Sequence, residues 1–241
     1  MGMASEYQFE KMGFRRGEGI EERWFNKLSS LFESKSWDAL NRGAKYLKAE
    51  LSGVASDALL KTSFMGLELL FSIRPPRIDL YYLDKLEKPR HYAQYLPIVV
   101  NCFERGCLAE SDPPQPSTEL VSIARFGGAD TMRGYDRVFA SQLLDLMPNA
   151  KPEEVQKAAE LVGGKLVEHL DALWAYEIEP LAAVRVRFAY WPGDEEIPPY
   201  ASILYGAEAV LTKIPLEDLK VLTFLIISRL GAAYHLIKSR G

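Results

Sequence analysis

The sequence predicts an α+β fold: an antiparallel or mixed sheet with packed helices, preceded by a helical amino-terminal extension. Three observations carry this expectation. Apolar residues recur at helical spacing over the first fifty residues and again near the carboxyl end; short apolar runs divided by turn residues fill the stretch from Ala58 to Tyr82; and "AAVRVRFAYW" alternates, with Val184, Val186, Phe188 and Tyr190 set against Arg185, Arg187 and Ala189. The composition does not shift midway through the 241 residues, so one α+β domain is expected over residues 45–241, after a helical extension over residues 1–44.

Along the chain, "IEERWFNKLSSLFES" places Trp24, Leu28 and Leu31 or Phe32 on one helical face. "SWDALNRGAKYLKAEL" repeats the pattern through Leu40, Tyr46, Leu47 and Leu51, with Ser36 as its cap. "ALLKTSFMGLELLFSI" divides at Met65-Gly66 into two strands, and "RIDLYY" supplies a third beyond the breaker Pro75-Pro76. From Pro89 to Arg105 the spacing of Tyr92, Tyr95, Leu96, Val99 and Phe103 is helical, with Pro97 as a kink or true start and Gly106 as the stop. "ESDPPQPST" reads as a surface excursion within the domain. A helix carrying Tyr135, Val138, Phe139, Leu143 and Leu146 or Met147 follows the double glycine, and "KPEEVQKAAELVGG" has Pro152 in the first turn and Gly163-Gly164 at the end. The last helix begins at Pro215 with Glu217 and Asp218 in its first turn; from Val221 to Ile227 it is apolar on nearly every side, which predicts burial from more than one direction.

Hydrophobic residues at 48% and charged residues at 26% are those of a soluble globular protein, so the core needs no staples. A net charge of −4 argues against nucleic acid, whose phosphates require clustered Lys and Arg; "FRRG" and "HLIKSRG" are too short to change this. No cleavable signal opens the chain and no apolar run reaches about 18 residues, so a cytoplasmic location without a membrane span is expected. Cys102 and Cys107 are the only cysteines. Two thiols do not close a zinc or iron–sulfur site unless His91, His169 or His235 converge on them, so no metal or cofactor is expected and the pair reads as reduced and structural.

The order "AAVRVRFAYWPGDEEIPPYASILYG" followed by "IPLEDLKVLTFLIISRL" resembles the signature of the uncharacterised domain-of-unknown-function family 3786. "FGGADTMRGYDRVF" resembles its double-glycine loop before an aromatic-bearing helix, and "AAELVGGKLV" its helix followed by Gly-Gly. The resemblance covers roughly residues 45 to 232 and is most specific in the carboxyl-terminal half. Some family members carry a small four-cysteine iron–sulfur domain similar to that of corrinoid iron–sulfur proteins, which implies work near anaerobic one-carbon or redox metabolism. This chain has no such cysteine set, so any cluster or corrinoid would belong to a protein partner.

Two stretches are candidate sites. In "YWPGDEEIPPY" the Pro-Gly-Asp sequence is a turn signal, and Glu195 and Glu196 can be solvated or can pair with Arg185 or Arg187. The functional reading is a partner-binding surface of Trp191, Asp194, Glu195, Glu196 and Tyr200, in which Asp194 and Glu196 present oxygens to a cation or cationic partner. In "FGGAD" the glycines serve turn geometry or hold an anion on backbone amides, with Gly127, Gly128, Arg125 and Arg133 as the binding group. No nucleophile, base and orienting acid can be assembled, so no catalytic residues are assigned. The expected function is an accessory module docking a redox, corrinoid or iron–sulfur partner. The alternative is a small-molecule or tetrapyrrole binder, or an enzyme, with a pocket between the double-glycine loop and the acidic hairpin.

Overall fold

The computed structural model describes residues 20–74, 77–82, 95–127 and 129–239. "FRRG", Pro75-Pro76, the start of the helix expected from Pro89 with His91 and Tyr92, and Gly128 lie outside the described residues, as does the side chain of Arg133. Helix α1 (Ile20–Ser34) buries Leu28, Leu31 and Phe32, as its spacing predicts. Helix α2 (Trp37–Tyr46) starts at Ser36, whose hydroxyl accepts the Ala39 amide at 3.3 Å.

The expected continuation of α2 to Leu51 does not occur. Lys48 turns left-handed at φ 54°, and Ala49–Ser52 becomes strand β1, paired antiparallel with β2 (Leu59–Phe64). The Thr62 hydroxyl takes the Leu47 carbonyl at 2.9 Å, so the end of α2 is bound to the sheet that displaces it. Met65 and Gly66, both at positive φ, make a two-residue turn into β3 (Leu67–Ser72), and β4 (Arg77–Tyr82) completes an antiparallel meander in the order β1-β2-β3-β4.

Helix α3 (Tyr95–Leu108) accommodates Pro97 in its first turn, where no intrahelical amide is required. Gly106 does not stop it. A Cβ on Gly106 would lie 2.8 Å from the Gly43 Cα, and one on Gly43 would lie 2.6 Å from the Cys107 Sγ. The glycine therefore exists for close approach of α2 and α3, and the helix passes straight through it. Phe32 stacks between Phe71 and Phe103 at 5.5 and 5.6 Å, tying α1 to the meander and to α3.

A second antiparallel sheet runs β5-β9-β8-β7-β6, built from β5 (Leu120–Val121), β6 (Lys165–Val167), β7 (Trp174–Leu181), β8 (Val184–Trp191) and β9 (Tyr200–Gly206). The fold is thus α+β with two wholly antiparallel sheets where one antiparallel or mixed sheet was expected. Helices α4 (Ala129–Leu146) and α5 (Pro152–Leu161) precede β6; α6 (Glu208–Leu211) and α7 (Leu216–Lys238) follow β9. Among the described residues one contiguous apolar core joins both sheets. Every residue from Leu219 to Ile227 is buried, because α3, α4 and α5 all pack on α7. By length and composition α7 could also cross a bilayer, yet 72% of its most apolar window is buried within the protein.

Two outcomes follow from this packing. Gly106→Ala lowers stability by about 1–3 kcal/mol through overpacking despite the better helix propensity of alanine, whereas Gly134→Ala, with nothing within 4 Å of its Cβ, raises it by up to about 1 kcal/mol; urea unfolding of both variants checks the contrast. Leu222→Asp places an unpaired charge at a fully buried position and costs several kcal/mol, read as a lost or strongly lowered thermal transition.

Candidate functional site

Strand alternation gives the five-stranded sheet two unlike faces. Tyr176, Val186, Phe188 and Tyr205 point into the core, while Glu177, Arg185, Arg187, Trp191 and Tyr200 lie on the opposite face. Both arginines of β8 are partly exposed and are paired with carboxylates. Arg185 donates from Nε to Glu208 Oε1 at 3.0 Å and from Nη1 to Glu177 Oε2 at 3.2 Å, and Arg187 donates from Nη2 and Nε to Glu177 Oε2 at 2.6 and 2.9 Å. Glu208 is buried, its side chain 2% exposed, and it also accepts the Ser117 amide at 3.1 Å; Arg185 Nη2 donates to the Ser117 carbonyl. The hydrogen bond to Glu208 is the largest influence raising the Arg185 pKa, so this guanidinium stays charged. Glu195 and Glu196 therefore do not pair with Arg185 or Arg187, because Glu177 and Glu208 already occupy both arginines.

This ladder was missed at the level of sequence. Glu208 lies 23 residues beyond Arg185 in the chain, and its carboxylate folds back over Gly206, where a Cβ would stand 2.2 Å from Oε1. Gly206 was the available signal, but only the tertiary structure shows what it makes room for. The ladder also fixes the proline-rich excursion: Ser117 is held at both its amide and its carbonyl, and the Ala207 amide donates to the Glu119 carbonyl at 3.0 Å.

The ladder continues into the aromatic strip. His169 Nδ1 sits 3.4 Å from Arg187 Nη1, its ring lies 6.0 Å from Trp191, and Trp191 lies 5.5 Å from Tyr200, its partner across the strands. Burial, then the adjacent Arg187 charge, lowers the His169 pKa and favours neutral imidazole. Beyond this strip the hairpin tip is exposed from Pro192 to Tyr200, with Ile197 at 62% and Tyr200 at 57%. Asp194 Oδ1 accepts the Ile197 amide at 2.7 Å and the Glu196 amide at 2.9 Å, which organises the turn and holds this carboxyl below the usual aspartate range. One Asp194 oxygen is thus engaged by the backbone. Glu195 and Glu196 have no ion-pair partner among the described residues.

The double-glycine loop is elsewhere. Arg125 is exposed in a short 3₁₀ turn (Ile123–Phe126), Phe126 packs edge-on against Tyr205 at 5.5 Å, and Gly127 lies against Leu216. Tyr205 and Tyr200 are about 16 Å apart along β9 at the strand rise per residue and face opposite sides of the sheet. The structure brings Trp191, Tyr200 and the acidic residues together, and it does not bring Arg125 or Gly127 to them.

Cys102 and Cys107 are buried on α3; Cys102 donates to the Tyr46 carbonyl at 3.4 Å. Burial pushes their thiols up to about 12 and about 11, where they are poor nucleophiles and poor metal ligands at neutral pH. Among the described residues no group of three or more His, Cys, Asp and Glu side chains is placed to hold a metal ion.

Three outcomes test these assignments. Iodoacetamide at pH 8 leaves both cysteines unmodified in the native protein and alkylates both in urea, as intact mass shows. Glu208→Gln leaves Arg185 under-compensated and costs about 3 kcal/mol, with faster hydrogen exchange at the Ser117 amide, whereas Glu196→Gln leaves stability within about 1 kcal/mol. Because the Asp194 pKa is lowered on folding, its contribution is complete above the ordinary aspartate value and is lost as pH falls through the lower folded value; the amide shifts of Glu196 and Ile197 move together in that acidic window.

No curated protein and no solved structure matches the chain. A family model described as "Domain of unknown function (DUF3786)" matches residues 107–229, a span that includes the proline-rich excursion, all of the second sheet with its arginine ladder and hairpin, and α7 as far as Arg229. On that match over half its length, and with the strand, hairpin and helix order just described, the chain belongs to the DUF3786 family.

Proposed function

We propose that the protein is a binding module that docks a protein partner through the β8–β9 hairpin. The observation that supports this reading most is the conjunction of half-buried Trp191 and exposed Tyr200, in ring contact, with the unpaired carboxylates of Glu195 and Glu196 on a turn held by Asp194. Aromatic side chains bury large area at little conformational cost, and a turn already organised loses little entropy on binding. A negative tip beside that patch selects a partner with a basic rim, and its attraction is strongest at low salt.

The partner chemistry we favour is a redox, corrinoid or iron–sulfur protein. That part rests on the family resemblance, in which an iron–sulfur domain accompanies some members, and on buried cysteines that leave metal chemistry to another chain.

A photo-crosslinking amino acid at position 200, in the protein expressed in its native host, tests the proposal. The expected product is one crosslinked protein carrying iron or cobalt. Its yield falls at least severalfold in Glu195→Gln/Glu196→Gln and in Trp191→Ser, and falls with salt, while melting temperatures stay within a few degrees. A crosslink pattern indifferent to both variants and to salt refutes docking through the hairpin; a specific partner without metal or corrinoid refutes only the partner class.

A further inference from the structure

A cavity of about 420 Å³ lies far from the hairpin, where α2, α3 and α6 all end. Its volume falls within the range of small-molecule sites, roughly 300–1,000 Å³. Two of its lining side chains, Leu108 and Leu211, are 62% and 69% exposed although large and apolar, and they stand on different elements facing one opening. Isolated exposed leucines are ordinary, but two converging on a concavity present apolar surface that an occupant would cover.

The polar lining carries two cations, Arg105 and Lys213, and one carboxylate, Glu110. Arg105 donates from Nη1 to Asp218 at 3.0 Å, and its Nε–H is buried without an acceptor. Lys213 is exposed, at φ 53°, and has no carboxylate partner among the described residues. Helix ends present carbonyls, which would repel an anion if they were bare. Three carbonyls at these ends are engaged: Tyr46 O accepts from Ala182 N at 3.0 Å, Ala109 O from Arg42 Nε at 3.0 Å, and Ala209 O from Thr212 Oγ1 at 2.7 Å. Glu110 stands exposed on the same lining and sets a negative charge against an anion's approach from its side.

We infer that this cavity binds a small carboxylate with a short apolar chain, its head group between Arg105 and Lys213 and its chain against Leu108 and Leu211. No step of the docking proposal depends on it. The two cations select the head group, the two leucines select the tail, and the volume limits the size.

Hexanoate is the probe, with hexanol and hexylammonium as controls, read by the methyl resonances of leucine-labelled protein. The variant is Lys213→Asn, since asparagine tolerates positive φ and the site is exposed, so folding is preserved. Arg105 is left intact because its bond to Asp218 ties α3 to α7. Saturable shifts of the Leu108 and Leu211 methyls by hexanoate, tighter than by either control and weakened about threefold in the variant, support the assignment. Absence of saturable shifts at those methyls overturns it. So does equal binding of hexanol or hexylammonium, or an affinity for hexanoate unchanged in Lys213→Asn.

Discussion

The pairing of Arg185 with the buried carboxylate of Glu208 is the constraint on which the second half of the molecule depends. A carboxylate that is 2% exposed is tolerated only when paired and hydrogen-bonded, and Glu208 finds its cation on β8 and its amide donor at Ser117. Three segments distant in the chain must therefore meet at one point: the strand, the turn after β9, and the end of the proline-rich excursion. Gly206 makes that meeting possible, since any larger residue would occupy the space of the carboxylate. With Glu208 serving Arg185, Glu177 is left to hold Arg187, and Arg187 in turn gives His169 its place against Trp191. The aromatic strip, set by the pairing of Trp191 with Tyr200, is thus continuous with charges paired about 20 Å away along β8.

Glycine contact plays the corresponding role in the first half. Gly43 and Gly106 bring α2 and α3 within backbone contact, and that closeness fixes Tyr46 beside Cys102 and sets the ends of both helices side by side. The cysteines are consequently structural: the same burial that seats them raises their thiols far above neutral pH. Helix α7 then joins the halves. Arg105 reaches Asp218 at its start, and Arg229 Nε donates to the Met65 carbonyl at the turn of the first sheet at 3.2 Å.

The hairpin patch lies where β8 runs into β9, and the cavity is lined by residues at the ends of α2, α3 and α6, so the two share no residue. Their chemistry also differs. The hairpin offers negative charge and aromatic area on an exposed tip, the surface proposed for a protein partner, whereas the cavity offers Arg105, Lys213 and Glu110 beside aliphatic walls, the site proposed for a small carboxylate. Taken together, the two proposals describe a module that joins a small ligand to a larger assembly.

What the sequence by itself determined was the local structure whose causes are local. The cap at Ser36, the Met65-Gly66 turn, Pro152 at the start of α5 and the alternation of β8 all depend on neighbours within a few residues, and all were legible; so was the all-round apolar composition of α7, although α3, α4 and α5 supply its burial. The turn at Asp194 was legible for the same reason, as was the family resemblance of the carboxyl-terminal half. Where local signals pointed the wrong way, tertiary contacts decided. The spacing through Leu51 predicts a helix, but pairing with β2 makes Ala49–Ser52 a strand; Gly106 predicts a helix stop, but the approach of Gly43 makes it a close contact within the helix. Which carboxylates neutralise Arg185 and Arg187 could not be read along the chain at all. The nearest acidic residues in sequence stand on an exposed tip, while a buried arginine is satisfied by whichever carboxylate the fold brings within hydrogen-bonding distance, and here those are Glu177 and Glu208.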